Sequence, residues 1–184
     1  MLRIMGSVLT AQSRLAPLAK LPIFVDLAGR RVALIGGGEP VVWKAELLAA
    51  AGAVVDVLAA RPHPDLRALA AANDRVRLSC RPWRSADLDG AALVVADLED
   101  ADEMAALRGA THERGLMLNV IDRPQACDFQ FGTIVNRSPV VIGIMTDGAA
   151  PILGQAIRRR IEAVVPAAVA SWSRSAKAFR DRDR

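Results

Sequence analysis

Gly36-Gly37-Gly38 stands between an apolar, β-branched run, Arg31–Ile35, and a stretch whose apolar residues recur at helical spacing. Glycines lack the Cβ that would hold a ligand off the backbone. The first turn of a helix carries N–H groups with no internal acceptor, so such a junction suits a pyrophosphate. The same residues also make a plain tight turn from strand to helix. The full G-x-G-x-x-G is absent, with Val41 in its sixth position. A second candidate is Asp122, which closes the run Asn119-Val120-Ile121 ahead of Arg123-Pro124. At the carboxyl end of a parallel strand a carboxylate can collect a proton while a nicotinamide collects a hydride; turn formation before Arg123-Pro124 is its ordinary alternative. Arg137, Arg158, Arg159 and Arg160, with Lys44, could rim an anionic substrate, or lie on solvated helix faces that include the i,i+4 pair Arg158/Glu162. After the second apolar run, Leu58-Ala59-Ala60-Arg61 offers no acid for ribose hydroxyls, and Asp56 falls inside the run. These residues leave NAD and NADP equally open, since Arg61 is placed either to read a 2′-phosphate or to sit in water.

Positioning those groups requires a layered α/β scaffold. Val41, Ala45, Leu48 and Ala49 fall at i, i+4, i+7 and i+8, one face for a sheet, while Lys44 and Glu46 point elsewhere and Gly52 ends the helix. Residues 31–35, 54–58, 76–80, 91–96 and 116–121 read as strands, and 64–73 and 100–110 as helices. The alternation predicts a parallel, Rossmann-like sheet with right-handed crossovers. After Asp122 the pattern changes: 129–135 and 139–145 are apolar stretches joined by Asn136-Arg137-Ser138, a hairpin signal, followed by helices over 151–165 and 167–179. Thr146-Asp147-Gly148 reads as a turn before Pro151. The expected organisation is an extension over 1–20, a Rossmann-like domain over 21–122, a smaller α+β region over 123–150 and a helical segment over 151–184.

The 184 residues suffice for one domain with an appendage, and 52% hydrophobic against 24% charged residues excludes intrinsic disorder. Lys+Arg 24 against Asp+Glu 20 gives a formal charge of +4. That mild excess demands no nucleic acid and fits polyanionic small molecules equally well. Cys80 and Cys127 lack metal-ligand spacing and read as two reduced, buried thiols; His63 and His112 are too few for a histidine-based triad. Trp43, Trp83 and Trp172 read as packing or dimer residues. No apolar run reaches the ~20 residues needed to span a bilayer, and residues 1–20 lack a signal-peptide pattern, so a cytoplasmic protein without membrane partners is expected.

Four stretches taken together resemble the precorrin-2 dehydrogenase/ferrochelatase module of the siroheme synthase family. They are Leu21-Pro22-Ile23-Phe24 with Asp26-Leu27; Gly36-Gly37-Gly38-Glu39 with Lys44-Ala45-Glu46-Leu47-Leu48; Asn119-Val120-Ile121-Asp122; and Ile134-Val135-Asn136-Arg137-Ser138-Pro139 running on to Thr146-Asp147-Gly148-Ala149-Ala150-Pro151. The resemblance implies NAD-dependent oxidation of precorrin-2 to sirohydrochlorin, and in bifunctional members insertion of Fe2+ as a substrate in the same cleft. It implies a homodimer built from the region after Asp122, so that 123–150 is a dimerisation region. It places the cofactor at Gly36, Gly37, Gly38, Glu39, Leu58, Ala59, Asp97 and Leu98, the substrate at Asn119, Arg137, Thr146 and Gly148, and the catalytic carboxylate at Asp122. Two departures stand out. Met145-Thr146 occupies a turn where members often carry two serines, and Asp97-Leu98-Glu99-Asp100 replaces a Thr-Asp type sequence. They leave room for a different class of protein, a non-catalytic dinucleotide- or tetrapyrrole-binding sensor.

Overall fold

A computed structural model describes residues 16–147 and 151–182. Five strands, β1 (Arg31–Ile35), β2 (Val54–Leu58), β3 (Val76–Ser79), β4 (Leu93–Ala96) and β5 (Leu118–Val120), form one parallel sheet in the order β3-β2-β1-β4-β5. The inner strands β1 and β4 are apolar almost throughout because both sheet faces are covered there, whereas the edge strand β3 alternates as Val76-Arg77-Leu78-Ser79. One face takes α1 (Glu39–Ala50) and α2 (Pro64–Ala72), the other α3 (Ala101–Glu113) and a short 3-10 turn at Ser85–Leu88. The expected face of α1 is the one buried: Val41, Ala45, Leu48 and Ala49 all pack into the core. Leu34 is fully buried at the centre of the sheet. Leu34→Ala is expected to lower unfolding free energy by about 2–5 kcal/mol, seen as a reduced urea midpoint at constant m-value.

The strands are shorter than the apolar runs that encode them. β3 stops at Ser79, β4 starts at Leu93, and β5 spans Leu118–Val120, because strand length follows the register of neighbours and not hydrophobicity alone. That register pairs Ile35 with both Leu58 and Ala96, and Ala96 with Val120, so β1, β2, β4 and β5 end at one level. The chain reverses its strand order between β1 and β4, and a crevice for ligands opens beyond the carboxyl ends of strands at such a switch.

β6 (Thr133–Arg137) and β7 (Val140–Ile144) then make the expected antiparallel hairpin, with Thr133 opposite Ile144, and α4 (Pro151–Val164) and α5 (Val169–Arg182) follow. Residues 16–28 run up to the sheet without helix; Leu27 is buried while Leu21, Ile23 and Phe24 stay exposed. The earlier part of the expected extension lies outside the described residues. Of the two cysteines expected to be buried, Cys80 is exposed just past the short β3, where the Arg67 guanidinium approaches it at 3.4 Å. Cys127 is half-buried. Trp83 packs against the core and donates to Glu103 at 2.9 Å, whereas Trp43 and Trp172 are exposed. Among the described residues, no helix is long and apolar enough to cross a membrane.

Candidate active site at the strand ends

Gly36, Gly37 and Gly38 cross from β1 to α1 against two neighbouring segments, at Asp97 and at Arg61-Pro62. A Cβ on Gly36 would lie 2.7 Å from the Asp97 carbonyl oxygen, one on Gly38 2.7 Å from Asp97 Oδ2, and one on Gly37 inside the contact distance of the Arg61 carbonyl oxygen. Gly36 also has φ +120°, open to glycine and costly for L side chains. The turn is held from both sides. Gly36 donates its N–H to the Leu58 carbonyl at 3.0 Å, and the His63 N–H donates to the Gly37 carbonyl at 2.8 Å. Among the described residues, the N–H groups of Gly37 and Gly38 have no acceptor, and Gly38 caps α1 without a side-chain bond. Pro40 in the first turn needs no acceptor of its own. Two free amides at the positive end of a twelve-residue helix fit the phosphates of a dinucleotide. When bound, that group supplies a hydride-accepting ring.

Leu58 and Ala59 close β2 with buried side chains, so only their backbone can face a nucleotide. Leu98 turns its side chain into the second core cluster. Glu39 is exposed in the first turn of α1. Asp56 is occupied by Arg31 at 2.9 Å. Asp97, one step past the end of β4, stands against the glycine turn. Burial pushes its carboxyl up from 3.8, and repulsion by Asp122 and Glu99 adds to this. A carboxyl that the fold prefers protonated contributes fully below the unfolded value of 3.8, and that contribution is lost as pH rises through the raised folded value. Charged Asp97 is therefore a cost near neutrality. Asp97→Asn is expected to raise the Tm at pH 7.5, with the gain vanishing toward pH 4; thermal melts across that range check it.

Asp122 lies two residues past β5 with φ 56°, a left-handed conformation that aspartate tolerates better than most side chains. The bend turns it into a cavity of about 340 Å³ between the sheet rim, the segment after β5 and the hairpin. Lys44 from α1, Asn119 from β5, Phe131, Thr133 and Thr146 line the same space. Asn119 is buried and donates its amide to the Phe129 carbonyl at 2.9 Å and to Cys127 Sγ at 3.4 Å, which fixes the cavity wall and leaves its carbonyl oxygen for a ligand. Met145 and Thr146, just past β7, also line the cavity.

The arginine rim does not form. Arg137 spends its guanidinium on the Val165 carbonyl at 3.0 Å and on its neighbour Asn136, tying β6 to the end of α4. Arg158 pairs with Glu162 at 3.0 Å one helical turn on, and Arg159 and Arg160 are exposed on α4. Of the five cations, only Lys44 reaches the cavity, with Arg123 joining it from the segment after β5. Asp147 lies in the expected turn; Gly148 lies outside the described residues. Sequence reading missed Phe131, Thr133 and Cys127 as cavity residues. Apolar periodicity carries no signal for residues gathered by the segment joining the sheet to the hairpin.

Fold and rim together define a dinucleotide-binding protein of the doubly wound α/β class. Residues 23–133 match the family model described as "Putative NAD(P)-binding", and the chain belongs to this NAD(P)-binding family. It is similar to the siroheme synthase of Ectopseudomonas mendocina (strain ymp), 39% identical over 162 residues, covering 88% of this chain and 34% of that protein. It is also similar to that of Azotobacter vinelandii (strain DJ / ATCC BAA-1303), 40% identical over 165 residues, covering 87% and 34%. The chain thus spans about a third of the length of these curated relatives. The solved structure of SirC, a precorrin-2 dehydrogenase, superposes with a TM-score of 0.68 at 19% identity, covering 84% of this chain and 76% of that one, and shows the same fold.

Proposed function

We propose that the chain oxidises precorrin-2 to sirohydrochlorin with NAD as hydride acceptor. The observation that carries this reading is the placement of Asp122, in a left-handed bend on the wall of a cavity it shares with Lys44 and Asn119, near enough to feel the charge of Asp97, which itself stands against the glycine turn. The relatives named for siroheme synthesis and the dehydrogenase of like fold support it. Removing two hydrogens from the macrocycle sends a hydride to the oxidised nicotinamide and a proton to a base. Asp122 takes that proton. Gly37 and Gly38 hold the phosphates, and Asn119 and Thr146 offer polar contacts to the macrocycle. The same carboxylate is placed to accept pyrrole protons as Fe2+ enters, and iron is then a substrate.

The working unit in this reading is a homodimer. Ile152, exposed to 83%, with Leu153 and Val164 on α4, Trp172 and Phe179 on α5 and Val141 on β7, gives the second region an apolar surface suited to a two-fold partner. Anaerobic mixing of the protein with precorrin-2 and NAD tests the reaction: stoichiometric NADH and sirohydrochlorin are expected. Tight NAD binding without consumption of precorrin-2 would instead establish a binding or sensing module.

A further inference from the structure

Lys44 occupies a position that α1 does not need for folding. The helix buries Val41, Ala45, Leu48 and Ala49, and Lys44 leaves that face sideways into the cavity that holds Asp122. Its Nζ stands 3.9 Å from the centroid of the Phe131 ring and 4.7 Å from that of Trp43. Phe131 is itself braced by Phe129, edge to face at 5.4 Å. A lysine stem ordinarily carries its ammonium out to water. This one is half-buried against aromatic faces and, among the described residues, has no carboxylate in ion-pair contact. Aromatic faces recover part of the desolvation cost of such a cation and leave its N–H donors free. The charged and titratable groups that share its surroundings are Asp122 and Arg123 on the cavity wall and the Cys127 thiol.

We propose that Lys44 anchors a peripheral carboxylate of the macrocycle and thereby sets its edge against Asp122, making Lys44 the residue that selects acid-bearing tetrapyrroles. The inference rests on the oxidation reading above, which supplies the polyanionic substrate. Burial brings the Lys44 ammonium down to about 8, with Asp122 and Cys127 opposing the fall. The charge is present below that value and lost above it, so anchoring weakens in mild alkali. Arginine at the same place stays charged throughout.

Titrating the full chain with sirohydrochlorin at pH 7 and pH 9, followed by fluorescence quenching, tests the assignment. Lys44→Met is expected to weaken binding roughly 10- to 100-fold at pH 7 and to abolish its pH dependence. The wild type should lose about tenfold between pH 7 and pH 9, and Lys44→Arg should retain its affinity across that interval. NAD affinity should be equal in all three proteins, which reports an intact fold. Equal pigment affinity of Lys44→Met and wild type at pH 7, or identical pH profiles for wild type and Lys44→Arg, overturns the proposal. Turnover of precorrin-2 by the wild type is scored separately. No turnover, alongside Lys44-dependent pigment binding, removes the oxidation reading and keeps the anchor; normal turnover with an unchanged KM in Lys44→Met does the reverse.

Discussion

Asp122→Asn is expected, on the proposed function, to lower precorrin-2 oxidation by roughly two to four orders of magnitude, the range for removal of a general base from a proton transfer. The amide matches the carboxylate in size but cannot take the proton. Asparagine is also the right replacement on backbone grounds, because at φ 56° it is among the few residues that occupy the left-handed region at little cost. Alanine there would add about 1–2 kcal/mol of strain and blur the result. The variant should keep the wild-type Tm and NAD affinity. Steady-state oxidation rates beside a NAD titration check both halves, and unchanged kcat would show that the proton leaves by another route.

Gly37→Ala is expected to damage fold and cofactor site together. The new methyl would press on the Arg61 carbonyl and stand 3.3 Å from Pro62 Cα, both backbone, so no side chain can rotate away. Nor can the turn retreat, since its own carbonyl is held by the His63 N–H at 2.8 Å. Overpacking of this kind costs about 1–3 kcal/mol. Shifting the two free amides at the head of α1 should weaken dinucleotide binding by at least about tenfold. Gly109→Ala is the control: it lies within α3 with nothing near its added methyl, so it should stabilise by about 0.5–1 kcal/mol and leave binding unchanged. Calorimetry with a NAD titration separates the two variants.

Much of this was legible in the residues. The run Arg31–Ile35, the glycine turn and the periodic face of α1 specify strand, bend and helix independently and agree, so the scaffold around the cofactor site follows from local pattern. The rim position of Asp122 was legible for a related reason, since an acid just past a buried strand stands at the sheet edge by construction. Lys44 was harder. Its spacing shows only that it leaves the buried face of α1, and whether it then meets water or a cavity depends on Phe131, nearly ninety positions away in the chain. Arg137 misled because an arginine beside a turn looks free, while its partner, the Val165 carbonyl, is supplied by the end of a helix formed much later. The exposure of Cys80 follows from β3 stopping one residue early, a matter of pairing that its hydrophobic neighbours do not reveal.

The level ends of β1, β4 and β5 carry a consequence for redesign. Gly36, Asp97 and Asp122 each lie within two residues of a strand end. Hydrogen-bonded pairing fixes those attachment points, and the segments beyond them supply the chemistry. Exchanging Leu98 and Glu99 alone is therefore expected to change what the rim offers a nucleotide while keeping the Asp97 N–H bond to the Ile35 carbonyl and the Asp100 cap of α3, which makes this rim a natural seam for grafting.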